Sequence, residues 1–276
     1  MIKQKFYRKK YIPLTRSKIA SQIFRKEIFY KHEHLNPTGS HKDRECEYIL
    51  KKKQNQAFNS VGCASTGNLA ISLAYYAKKF NKKCHIWVKK NISKKKIKIL
   101  KKYNPNIYFK KQNLLELYDS SNKIMKKNNI LNLNPKINKD KIIANKSIGK
   151  EILAQNKDID LFVCTINNGS LFLGLYEYIK RFKNKSLIGV YTYSRKALSI
   201  NGFNLYEDKN LISKFKNNNN IFLIKIDDKQ IRNNQHILSK EKLNLEYDCA
   251  TMLAVLKKKN IEKYKNICCI LSGKKR

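Results

Sequence analysis

The chain has 276 residues, 42% of them hydrophobic and 11% aromatic, enough to bury a large core and too apolar for a disordered chain. No apolar run approaches the roughly 20 residues of a membrane helix, and the first residues lead into no apolar signal core. A soluble, cytoplasmic protein is therefore expected.

The formal net charge is +40, which by itself suggests a nucleic-acid or membrane-surface binder. The breakdown argues otherwise. Only 8 of the 60 basic residues are Arg and 52 are Lys, beside 32 Asn, 9 Gly and 4 Pro. Arg is the side chain whose planar fork reads phosphates and base edges, and here it is the depleted one. Lys is spread along the whole chain. The bias matches A/T-rich codons and reads as mutational drift, with a selected anionic partner as the alternative. Neither a specific nucleic acid nor a membrane is expected as a partner. The seven Cys, odd in number and without a C-x-x-C pair, support neither a disulfide framework nor a zinc ribbon and read as small core residues.

Along the chain, a strand is expected at 27–30. His32 and His34 follow it, two apart with no third ligand in view, and no metal site is expected. The first junction is Asn36-Pro37-Thr38-Gly39-Ser40-His41-Lys42-Asp43-Arg44. Pro37 and Gly39 mark a tight turn, and Ser40 with Asp43 three residues on reads as an N-cap with an acidic partner. Lys42 then falls in the first helical turn, where an ammonium meets the positive end of the helix dipole. Either it is solvated at the surface or it is not normally an ammonium.

A strand at 58–63 runs into the second junction, Ala64-Ser65-Thr66-Gly67-Asn68, ahead of Leu69, Leu73, Tyr76 and Phe80 at helical spacing. Small polar residues at a helix N-terminus suit an anion site, or serve only as a cap. Strands at 85–88 and 107–109 come next. The strand at 161–166 leads to the third junction, Asn167-Asn168-Gly169-Ser170, and to a helix carrying Leu171, Leu175, Ile179 and Phe182. This turn is a phosphate cradle or an ordinary connection. A strand at 187–191 precedes the Asn217–Asn220 run, which reads as a surface loop. The last strand, 267–271, ends on Ser272-Gly273. Strands alternating with helices indicate an α/β protein with mainly parallel sheets, whose sites lie at the carboxyl ends of strands.

In this order the segments resemble the fold-type II family of pyridoxal-phosphate (PLP) enzymes, from about Pro13 to the C-terminus. The 36–44 segment is similar to the lysine motif of threonine synthases, 64–68 to the family's asparagine loop, and Gly169 to Gly174 to its phosphate loop. Ser272-Gly273 matches the C-terminal hydroxyl-glycine pair. Asn134-Pro135, Glu151-Ile152 and Glu246 through Ala250 fall where the family has comparable segments.

The resemblance implies two open α/β domains with the cofactor between them. One is a large PLP-binding domain of 1–46 with 140–276. The other is a small substrate-binding domain of 47–139, able to move. It further implies that Lys42 forms the imine with pyridoxal 5′-phosphate, removing the misplaced charge. Asn68 bonds the phenolic oxygen, and Asn167, Asn168, Gly169, Ser170 and Leu171 hold the phosphate. Ser272 bonds the pyridine nitrogen, while Ser65, Thr66 and Gly67 face the substrate carboxylate.

The implied reaction converts O-phospho-L-homoserine and water to L-threonine and phosphate, with an amino acid as the small-molecule partner and a homodimer as the usual assembly. Another fold-type II activity is the first alternative, a dehydratase or a cysteine-synthase-like β-replacement. A non-catalytic cationic binding protein is the second. The chain departs from the family at several points. Asn167 and Ser170 stand where glycines are common, which predicts weaker phosphate holding, and Tyr191 stands where Gln is frequent. The chain is short between about 194 and 221 and stops just past Gly273.

Overall fold

The computed structural model describes residues 11–275 apart from 55, 57, 136, 193–213, 216, 217, 259 and 260. Asn217 of the expected surface loop lies outside them, as does nearly all of the shortened stretch.

The strands are β1 (Leu14–Arg16), β2 (Glu27–Lys31), β3 (Ser60–Ala64), β4 (Lys83–Lys89), β5 (Asn106–Lys110), β6 (Leu131–Asn132), β7 (Leu161–Thr165), β8 (Ser186–Tyr191), β9 (Ile221–Lys225) and β10 (Asn266–Ile270). The helices used below are α1 (Lys18–Phe24), α2 (Lys42–Lys52), α3 (Asn68–Lys79), α4 (Lys94–Lys101), α5 (Leu114–Lys127), α6 (Asp140–Gln155), α7 (Ser170–Ile179), α8 (Asp228–Lys240) and α9 (Cys249–Val255). A six-stranded sheet has the order β1-β2-β10-β7-β8-β9, and a four-stranded sheet has the order β5-β4-β3-β6. Every pairing is parallel except β1 with β2. The α/β expectation holds, and all seven expected strands form within a residue or two of their expected ends.

Three strands lay outside those expectations. β1 and β6 have three and two residues, too short for any period to register. β9, Ile-Phe-Leu-Ile-Lys, is a legible apolar run masked by the asparagines before it.

The larger sheet is covered on both faces, as parallel strands require. Alternation along β7 sends Leu161 and Val163 into a cluster with Met252, Leu253 and Ile237, under α8 and α9. Phe162 and Cys164 enter a second cluster with Ile148, Ile152 and Phe172, under α6 and α7. Neighbouring β10 divides its cysteines the same way, Cys269 to the first face and Cys268 to the second. All seven thiols are free and buried, and burial pushes those of Cys63, Cys249 and Cys268 up to about 12. Helices α6 and α7 cross closely at Gly174, where a Cβ would lie 2.4 Å from Asn145 Cβ and 2.8 Å from the Ile142 carbonyl. Among the described residues, no helix is long and apolar enough to cross a membrane.

Candidate active site

Strands β2, β10 and β7 are adjacent and parallel, so the segments leaving their carboxyl ends emerge side by side. Those segments carry Lys42, Ser272 and Ser170.

The chain between Gly39 and His41 runs along the tail. Ser40 bridges to Gly273, the His41 amide donates to the Ser272 carbonyl at 3.0 Å, and the Lys274 amide to the Gly39 carbonyl at 3.0 Å. Gly39 has φ +87°, a left-handed conformation that strains any other residue, and Lys274 Cε lies 2.6 Å from where a Cβ would sit. Helix α2 opens at Lys42, after His41, and the expected Ser40 cap does not form. The Ser40 hydroxyl is buried and has no hydrogen-bond partner. Asp43 reaches back instead to the Thr38 amide at 2.6 Å and the Thr38 hydroxyl at 2.5 Å. The Thr38 hydroxyl also meets Ser72 Oγ at 2.8 Å, tying the turn to α3. The Asp therefore closes the loop before the helix rather than its first turn.

Lys42 is buried, so it is not the solvated surface lysine that was one of its two readings. Its ammonium has a partner that neither reading included. Nζ donates to Glu45 Oε1 at 2.7 Å and to Ser170 Oγ at 3.1 Å. The same Glu45 oxygen lies 2.7 Å from Ser170 Oγ and accepts from Asn145 Nδ2 at 2.9 Å. Burial pushes the Glu45 carboxyl up, but Lys42 and Lys141 together outweigh it and bring it down to about 2. Spacing alone marks Glu45 as a neighbour of Lys42 on a helix. Asn145 carries no local signal, because its contact with Glu45 spans 100 residues.

Gly169 opens α7 with φ +100°. Asn168 Oδ1 lies 3.2 Å from the Ser170 amide and 3.0 Å from its hydroxyl. Asn167 is exposed and Leu171 buried. Asn68 begins α3 on the other sheet, and its Nδ2 lies 3.1 Å from both oxygens of Glu246. A Cβ at Gly273 would sit 2.4 Å from Glu246 Oε2 and 3.0 Å from Asn68 Nδ2, so Gly273 lets the two sheets' loops meet. Ser65, Thr66, Gly67 and Asn68 are all half-buried, with the Gly67 amide donating to Ser65 Oγ at 3.2 Å. Asn134, from the Asn134-Pro135 segment, braces the end of β3 by accepting from the Ala64 amide at 2.6 Å.

Lys42 thus meets Ser170, and Ser272-Gly273 lies between the turn before Lys42 and Asn68, while Asn167 is exposed. The donor set fits the cofactor that the sequence implies. A buried primary amine suits its aldehyde, and a helix N-terminus opened by a positive-φ glycine suits its phosphate. The partnerless Ser40 hydroxyl and Asn145 Oδ1 are buried polar atoms of the same region. Among the described residues no group of acidic, His and Cys side chains could hold a metal ion.

The His32 ring is buried and the His34 and His41 rings half-buried, and all three are lowered to about 4, each chiefly by desolvation and secondly by a neighbour: Lys31, His32 and Lys42 respectively. Below pH 6.5 the unfolded chain binds protons that these rings refuse, so stability is lost as pH falls from about 6.5 through 4. Asp248, raised to about 8 by burial and Glu246, has the opposite slope. The denaturant midpoint is expected to fall over that range, and to fall less in His34→Gln. An equal fall in both chains would remove His34 from the account.

The sequence profile of the family described as "Pyridoxal-phosphate dependent enzyme" matches residues 7–273. Threonine synthase of Methanocaldococcus jannaschii is 29% identical over 180 residues, which is 64% of this chain and 44% of that protein. The mitochondrial threonine dehydratase of Schizosaccharomyces pombe is 28% identical over 190 residues, 67% of this chain and 32% of that one. The match thus spans under half the length of either relative. Among solved structures, maize serine racemase shares the fold at a TM-score of 0.84 and 18% identity, covering 95% of this chain and 88% of its own. Since the profile runs through the segments that surround Lys42, this chain belongs to the pyridoxal-phosphate dependent enzymes.

Proposed function

We propose that the chain is a lyase of the threonine synthase kind, converting O-phospho-L-homoserine and water to L-threonine and phosphate. The observation that carries this reading is the Asn36–Arg44 segment, which is similar to the threonine synthase lysine motif, with Lys42 against Ser170 at the start of α7. The likeness to the Methanocaldococcus jannaschii threonine synthase supports the same substrate, as does a 62-residue stretch 44% identical to the threonine synthase of Methanosarcina acetivorans.

Under this reading the Lys42 amine holds the cofactor and, once free, moves protons at the substrate's Cα and Cβ. The turn Asn167–Leu171 presents its amides and the Ser170 hydroxyl to the phosphate. Ser272 supplies a neutral hydroxyl to the pyridine nitrogen, and Asn68 bonds the phenolic oxygen. Ser65, Thr66 and Gly67, at the start of α3, orient the substrate carboxylate. Bound PLP supplies an electron sink for negative charge developing at the substrate carbon. Residues 47–139 act as a small domain that closes over the substrate against the larger 1–46 and 140–276, in a cytoplasmic homodimer.

The test mixes purified protein, PLP and O-phospho-L-homoserine and measures threonine and phosphate together. Equal amounts of both are expected. Phosphate without threonine would replace the reading by a plain elimination. A second reading, amino-acid dehydratase, is favoured by the Schizosaccharomyces pombe match, which covers slightly more of the chain. It predicts ammonia and a 2-oxo acid from threonine or serine and no reaction with phosphohomoserine.

A further inference from the structure

Glu45 is a fully buried acid set against the two groups that the proposed function assigns to the cofactor. It takes the Lys42 ammonium at 2.7 Å and touches the Ser170 hydroxyl at 2.7 Å. Its two oxygens are used unevenly. Oε1 has three partners, Lys42, Ser170 and Asn145, whereas buried Oε2 has no hydrogen-bond partner. The carboxylate is turned toward the start of α7.

Lys42, Lys141 and His41 are the titratable groups around it, and Lys42 and Lys141 favour its charged form against burial. A phosphate dianion settling on the Ser170 turn would face a fixed negative charge across a hydroxyl that both anions seek. Like charges at such a distance, screened little by water, repel strongly.

We propose that Glu45 is a built-in competitor for phosphate, which holds the Ser170 hydroxyl and the Lys42 ammonium against the phosphate of the cofactor and so sets the chain's affinity for it low. The inference rests on reading Lys42 and Ser170 as the cofactor site. Its substance is a property of this chain's own carboxylate toward a phosphate anion. Glu45→Gln keeps the shape and the Asn145 neighbour, removes the charge and leaves the Lys42 ammonium beside Ser170.

The test is calorimetric titration of wild type and Glu45→Gln with three probes: PLP, pyridoxal (the aldehyde without phosphate) and inorganic phosphate (the phosphate without aldehyde). Affinity for PLP and for inorganic phosphate is expected to rise about ten- to a hundredfold in the variant, with a much smaller change for pyridoxal. Unchanged or weakened phosphate binding overturns the proposal. A gain for pyridoxal as large as for PLP also overturns it, because the acid would then act on Lys42 alone.

Borohydride fixation of PLP to Lys42, read by peptide mass, separates the two levels. Phosphate affinity that rises while no adduct forms keeps the competition and sinks the cofactor reading. An adduct without a phosphate gain does the reverse. Should Glu45→Gln fail to fold, Glu45→Ala with added acetate serves in its place. Acetate is expected to restore the weaker phosphate binding of the wild type, and indifference to acetate overturns the proposal.

Discussion

Replacing Lys42 with arginine is expected to lower product formation by about 10³-fold or more while leaving the denaturant midpoint close to that of the wild type. Arginine keeps a cation beside Glu45, but it is never deprotonated and cannot attack a carbonyl. Alanine at the same position is a poorer probe. It takes the nearest cation from a carboxylate with no solvent exposure, and breaking a buried pair from one side costs about 3–5 kcal/mol. Lys42→Ala is therefore expected to be both inactive and destabilised, and the Lys42→Ala/Glu45→Ala double variant inactive but firmer. Substantial turnover in Lys42→Arg would end the proposed role of Lys42. Equal stability of Lys42→Ala and wild type would show that Lys141 alone holds the Glu45 charge.

Arg44→Ala is expected to be strongly destabilising. The guanidinium grips Glu33 through Nε at 2.7 Å and Nη2 at 2.8 Å, and Glu151 through Nη1 at 2.6 Å and Nη2 at 2.7 Å. Nη1 also lies 3.1 Å from Ser147 Oγ. Lys31, likewise buried, donates to Glu151 at 2.7 Å and to the Ile12 carbonyl at 2.6 Å. Arg44 thereby joins α2, the turn at Glu33 and α6, and Glu151 extends the network to β2 through Lys31.

Without Arg44 the buried Glu33 and the half-buried Glu151 lose the cation that both grip, and a loss of about 3–5 kcal/mol follows, a large part of a domain's usual 5–15 kcal/mol. Arg44 holds the Glu151 carboxyl below the usual range against burial. In the variant, protonation of Glu151 relieves the penalty, so the gap from wild type should narrow as pH falls. Arg44→Lys recovers only part of the loss, since an ammonium cannot make two bidentate grips. Urea midpoints across pH for the three chains check this, and a loss under 1 kcal/mol for Arg44→Ala would refute it.

What the sequence disclosed follows the reach of each interaction. Six of the seven legible strands are apolar runs with buried residues, as Leu161–Thr165 is with all five buried, while Asn106–Lys110 is legible by its β-forming residues although it is a largely exposed edge strand. Two of the three strands it hid, Leu14–Arg16 and Leu131–Asn132, owe their form to a partner strand rather than to their own pattern. At the site, the Lys42 motif and the Gly169 turn were legible because tight turns and helix starts write themselves in local chemistry. The Ser40 cap was misread, because Ser-x-x-Asp is also the spelling of a turn whose acid folds back onto Thr38. Glu45 shows the boundary most clearly. Its pairing with Lys42 is one helical turn long, but the contacts that aim it, from Asn145 and Ser170, span 100 and 125 residues and exist only once the sheets have closed.

The buried thiols have a consequence for handling the protein. A thiol acts as nucleophile or metal ligand only as thiolate, and those of Cys63, Cys249 and Cys268, held near 12, supply almost none at neutral pH. All seven are shielded from reagent while the sheets stay closed. They divide among both faces of the larger sheet and the core of the smaller one. Alkylation therefore keeps time for the molecule's openings, each modified cysteine recording which layer came apart first.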